Sequence, residues 1–135
     1  MSPQGAHHPI VTILKKGGRD MKARFWVVGN AKGSLRESFN IHLSKDRSRP
    51  NEQAKFPVCL AKAHTIDRPE GWSSIRSRYF VRGAVRYRWN GQLKILECWA
   101  VTKGGNRPFR LIGEFIESIL ASQGKRVRSI HIEVG

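Results

Sequence analysis

Arg82, Arg86 and Arg88 recur at even spacing in the run Arg82-Gly-Ala-Val-Arg86-Tyr87-Arg88-Trp89. In an extended chain alternate residues share a face, so these three guanidinium groups would line one side of a strand. A guanidinium is always charged and meets a phosphate with a planar fork of donors. Tyr87 and Trp89 are interleaved with the arginines, and Trp99 follows on the next apolar run. Rings of this kind stack on nucleobases, and cations beside them follow the backbone. An unpaired polynucleotide offers both targets at once. The chemistry suggested is binding rather than bond making.

The same mixture returns in Ala23-Arg24-Phe25-Trp26, and Lys94 adds a cation near the hairpin tip. Arg24, Arg82, Arg86, Arg88 and Lys94 are therefore the expected phosphate contacts. Trp26, Tyr87, Trp89 and Trp99 are the expected stacking platforms. The bland alternatives are plain: alternating arginines make a solvated face, and rings fill cores. For Trp26, Phe39, Phe56 and Phe115 the core is the favoured place, whereas Trp89, beside a turn, is expected outside. A second candidate is Lys103 to Arg110, where a helix start with Arg107 and Arg110 suits a phosphate as well as it suits solvent.

Catalytic chemistry finds less support. Cys59, His64 and Cys98 lack the paired spacing of a structural zinc site, and His7–His8 have nothing nearby to complete one. A metal-dependent nuclease needs clustered carboxylates, yet Asp20, Glu37 and Glu97 share no motif. His42 or His64 with a neighbouring lysine would be the minimal acid–base set of a small nuclease. No catalytic residue, metal or cofactor is expected.

The whole composition agrees with a polyanionic partner. Lys and Arg number 25 against 10 Asp and Glu, a formal charge of +15. Self-repulsion of this size opposes compaction, so the excess speaks of partners. The cations are interleaved with apolar residues along the whole chain, as on a folded basic surface. Cys59 and Cys98 each sit in an apolar run and read as buried free thiols of a reducing compartment. Residues 1–9 read as a disordered tail without a signal peptide. No apolar run approaches the roughly 20 residues of a membrane helix, so a cytoplasmic, nucleic-acid-associated protein is expected, with no membrane partner.

The elements that must position these residues follow from periodicity. Residues 10–14, 23–28, 37–43 and 55–63 read as strands, the third because Phe39, Ile41 and Leu43 alternate with Asn40 and His42. Pro57 places the fourth at an edge, or gives it a late start. Residues 44–54 and 65–74 read as loops. Asn90-Gly91 between 78–89 and 92–102 signals a hairpin with a two-residue turn. Val85 would then face Leu96 and Gly83 face Cys98 on the core side; Arg82 would face Trp99 and Arg86 face Ile95 on the other. Residues 106–123 carry a helical stripe with Asn106 as cap, Pro108 in the first turn and Gly124 at the stop. Residues 127–134 alternate as a last strand. The fold expected of residues 10–135 is one mainly β domain, a small curled sheet or small barrel, with a C-terminal helix followed by a final strand.

The segment Tyr79 to Val101 (YFVRGAVRYRWNGQLKILECWAV) resembles the late hairpin of oligonucleotide/oligosaccharide-binding-fold proteins. It is similar in layout to single-stranded-DNA-binding proteins and the primosomal replication protein, with a small residue, Gly83, leading to a basic aromatic tip. The resemblance implies an OB-like barrel of five strands that binds single strands across one sheet face, as an oligomer. Sequence-tolerant, non-catalytic binding of single-stranded DNA or RNA is the expected function, and a homo-oligomer is allowed. The competing expectation is an assembly protein of a nucleoprotein complex or virion, with helix 107–123 as its subunit contact.

Overall fold

The computed structural model describes residues 9–15, 22–30, 33–61, 71–79, 82–102 and 108–134. Seven strands form one mixed sheet: β1 (Ile10–Lys15), β2 (Lys22–Gly29), β3 (Val58–Leu60), β4 (Trp72–Ser77), β5 (Gly83–Asn90), β6 (Ile95–Thr102) and β7 (Val127–Val134). Two helices, α1 (Leu35–Asp46) and α2 (Pro108–Gln123), complete the fold. The spatial order is β1-β7-β2-β6-β5-β4-β3, with β1 parallel to β7 and every other pair antiparallel. The mainly β domain and the helix followed by a last strand are as expected. The sheet takes the open form rather than the barrel, since β1 and β3 end it as separate edges.

Both helices lie on one face. Phe115 of α2 packs edge-on against Phe25, Phe39 and Tyr87, with ring centroids 5.2, 5.3 and 5.4 Å apart. Such pairs add about 0.5–1.5 kcal/mol each beyond area burial. Leu111, Ile112, Phe115 and Ile119 of α2 are all buried against the sheet. The apolar stripe read from residues 106–123 is thus packed within the chain. Pro108 opens the helix as expected, while Asn106 lies outside the described residues.

Residues 37–43 form helix, not strand. Leu35, Phe39 and Leu43 are buried at intervals of four, whereas Ile41 is exposed. The alternation of Phe39, Ile41 and Leu43 was compatible with both periods. The deciding signal is the start: the Ser34 hydroxyl accepts from Glu37 N at 3.2 Å, half of a capping box. Asp46 then ends the helix as a buried clasp. Its carboxylate accepts from Lys55 N at 2.8 Å and Phe56 N at 3.0 Å, and faces Arg78 at 3.6 Å.

Three further boundaries move. The fourth expected strand shrinks to Val58–Leu60, beginning after Pro57 at the edge of the sheet, where an absent N–H costs no ladder bond. Trp72–Ser77, partly assigned to a loop, is a strand with Ser73, Ile75 and Ser77 facing the helices. The hairpin turn holds four residues, Gly91 to Lys94, with Asn90 paired to Ile95. Asn90 Oδ1 accepts from Leu93 N at 3.1 Å, and Lys94 takes the positive φ of 55°. Four-residue loops of this kind are a normal hairpin solution. Arg86 therefore faces Trp99, and Val85 faces Ala100. The shift is four residues, an even number, so Val85 and Leu96 keep the core side and Arg86 and Trp99 the other.

Candidate nucleic-acid interface

Among the described residues no helix covers the second face of the sheet. The strand registers line up its side chains in rows that run across the strands. One row reads Trp72, Arg88, Glu97, Trp26 and His131, from β4 through β5, β6 and β2 to β7. The next reads Ser74, Arg86, Trp99, Arg24 and Glu133. Cations and rings separated by up to 75 residues in sequence become nearest neighbours, Arg24 and Trp99 among them.

The contacts within the rows are specific. The Arg24 guanidinium carbon lies 4.5 Å from the centre of the Trp99 ring, and that of Arg88 lies 4.9 Å from Trp72. At exposed sites each such contact contributes about 0.5–1 kcal/mol. Arg88 Nε also donates to Glu97 Oε2 at 2.6 Å. Trp99 is 39% exposed and Trp26 and Trp72 are half-buried. The cations are thus held against the rings while one side of the assembly faces water. A cleft of about 220 Å³ opens between Arg24, Trp26, Trp72, Arg88, Glu97 and Trp99. A second hollow of about 450 Å³, lined by Lys22, Gly83, Ala84, Arg86 and Val101, continues the same face.

The candidates named from sequence divide. Arg24, Trp26, Arg86, Arg88 and Trp99 come together on this face. Arg82 is exposed just before β5 and Lys94 is exposed in the turn. Tyr87 is a correction: it is fully buried, and its hydroxyl donates to Asn40 Oδ1, so it cannot stack a base. Its place is dictated by parity, because Tyr87 pairs with Cys98 on the helix side. Trp89 is also turned to that side. It packs against the core, and a Cβ on Gly29 would come within 3.1 Å of its ring. The expected exposure of Trp89 is therefore corrected to half-burial, and the core expected for Trp26 to the open face. Arg110 is exposed on α2, on the other layer from this face. Arg107 lies outside the described residues.

Trp72 was missed because its strand is rich in serine and reads as loop. Its signal is the alternation of Trp72, Ser74 and Arg76 with Ser73, Ile75 and Ser77. Glu97 has no binding role in the sequence reading, which places it on the arginine side of the hairpin and weighs it among the carboxylates of a nuclease. Of the nuclease candidates, His42 is exposed on α1 and Glu37 sits in its first turn, while Asp20 and His64 lie outside the described residues. No group of three His, Cys, Asp or Glu side chains suited to a metal occurs among the described residues. Cys59 and Cys98 are buried free thiols, and burial pushes the Cys98 thiol well above its ordinary range, which suppresses thiolate chemistry. No described helix is long and apolar enough to cross a membrane.

Comparison with protein-family models, with curated proteins and with solved structures returns no match.

Proposed function

We propose that the uncovered sheet face binds single-stranded nucleic acid, with Trp99, Trp26 and Trp72 as base platforms and Arg24, Arg86 and Arg88 on the phosphates. The observation that carries this is the pair of transverse rows, which set three guanidinium groups and three indole rings side by side on one face of the sheet. The net charge of +15 supplies long-range attraction to any polyanion. The rings select among polyanions.

Width separates single strands from duplex. Five strands, β4 to β7 in the order given, span about 19 Å at the usual strand spacing of roughly 4.8 Å. The major groove of DNA is about 12 Å wide. A face this broad does not enter the groove, so its rings reach bases only where a strand is unpaired. Assembly through residues 107–123 has less support, because the apolar stripe of α2 is buried within the chain.

The test is a titration of intrinsic Trp fluorescence with oligo-dT, oligo-U and a duplex at two salt concentrations. Tight, salt-sensitive quenching by the single strands and weak binding of the duplex are expected. Equal affinity for duplex and single strand would remove the stacking role of the indoles.

A further inference from the structure

Glu97 stands at the centre of this face, whereas Glu133 lies at its β7 side. A carboxylate in the middle of a cationic platform repels the phosphates that the platform attracts. Its ion pair with the half-exposed Arg88 is of the surface kind that contributes little to stability. Fold stability therefore gives a weak reason for its presence. We infer that Glu97 makes the open face prefer guanine at one position of a bound strand, an inference that rests on the single-strand reading above.

The argument is one of donors and acceptors. An ionised carboxylate is acceptor-only, with about four lone-pair sites. In Glu97, Oε2 takes one bond from Arg88, and Oε1 accepts none among the described residues. An unpaired base is read along its Watson–Crick edge. Guanine presents two adjacent donors there, N1–H and the 2-amino group, which match the two oxygens of a carboxylate. Adenine and cytosine place a ring-nitrogen acceptor beside their single amino group, and thymine or uracil flanks one donor with two carbonyls. Those edges set lone pairs against one or both oxygens.

The surroundings fit a base. Trp26 is the register partner of Glu97, and among the described residues no guanidinium lies over its ring. A purine stacked on Trp26 would bring its edge to Glu97 within the 220 Å³ cleft, leaving Arg24 and Arg88 for the flanking phosphates. A methylated ammonium also favours rings and a carboxylate. Here Arg24 and Arg88 lie 4.5 and 4.9 Å from the centres of the Trp99 and Trp72 rings, so a further cation would meet like charge.

The experiment uses a short oligo-dT whose central base is thymine, guanine, hypoxanthine, cytosine or adenine, titrated against the wild type and Glu97→Gln. The amide keeps the side chain's shape and replaces one acceptor oxygen by a donor. Wild type is expected to bind the guanine oligonucleotide roughly tenfold tighter than oligo-dT, as for a good bidentate contact. Hypoxanthine, which lacks the 2-amino group, should lose most of that gain, and Glu97→Gln should abolish it, leaving the guanine oligonucleotide bound no more tightly than oligo-dT. Absence of a guanine preference in the wild type overturns the inference but leaves the single-strand reading intact if oligo-dT binds. A variant that binds every oligonucleotide more tightly yet keeps the preference overturns it too. So does a trimethyllysine peptide that outcompetes the guanine oligonucleotide. If no oligonucleotide binds, the single-strand reading itself has failed.

Discussion

Arg86 shows how a single residue tests the surface. It stands across from Trp99 in the ladder, is exposed, and has no carboxylate at salt-bridge distance among the described residues. Arg86→Ala should weaken binding to every sequence alike and lower the slope of log affinity against log salt by about 1, measured by titration at several salt concentrations. Trp99→Ala should instead cost roughly 1–3 kcal/mol with little change in that slope, since a ring releases no counterion. Which arginines face water was legible in the sequence, because alternation depends on parity alone. Which rings face water was legible only in part. Tyr87 and Trp89 share the parity of Val85, and the charged tip invited an exposed reading that the depth of the core under β5 does not allow. Asn40, which takes the Tyr87 hydroxyl, lies 47 residues away and gives no local sign of it.

At the level of elements, two joints support the sheet that carries the rows. Gly83 begins β5 with φ of 142°, and a Cβ there would collide with the Val101 carbonyl oxygen. Gly83→Ala should therefore destabilise by more than about 1 kcal/mol, seen as a lower thermal midpoint, and should disturb the adjacent hollow at Arg86. The second joint is α2 on β4. Glu114 has its carboxyl raised above its ordinary value of 4.5, first by burial and then by Glu117, with the Ser77 hydroxyl and Arg110 pulling it back. A raised carboxyl favours folding while protonated, so this contribution is full at low pH and fades as pH climbs from 4.5 through the raised value. Urea unfolding across that window should show the decline in the wild type and a flatter profile in Glu114→Gln. The long elements, β2, α2 and β7, were visible in the sequence because each has one strong period. Residues 37–43 were not, since three alternating apolar residues satisfy two periods, and the stripe that decides between them extends to Leu35, outside that window. β4 was not, because serines face the helices where apolar residues usually do.

At the scale of the whole molecule, the described residues form a sheet with two unequal sides. One side is an apolar floor for α1 and α2; the other carries exposed arginines and partly exposed tryptophan rings. Three of the four tryptophans belong to the second side, Trp26, Trp72 and Trp99, while Trp89 belongs to the first. That division gives a direct readout, since each indole N–H has its own proton–nitrogen resonance. In a titration of the ¹⁵N-labelled protein with a short oligo-dT, the indole signals of Trp26, Trp72 and Trp99 should shift together, along with amides of β2, β5 and β6, while Trp89 and the amides of α1 and α2 stay in place. Shifts centred on Trp89 and the helices, with the other three indoles unmoved, would contradict the assignment of the open sheet face as the nucleic-acid surface.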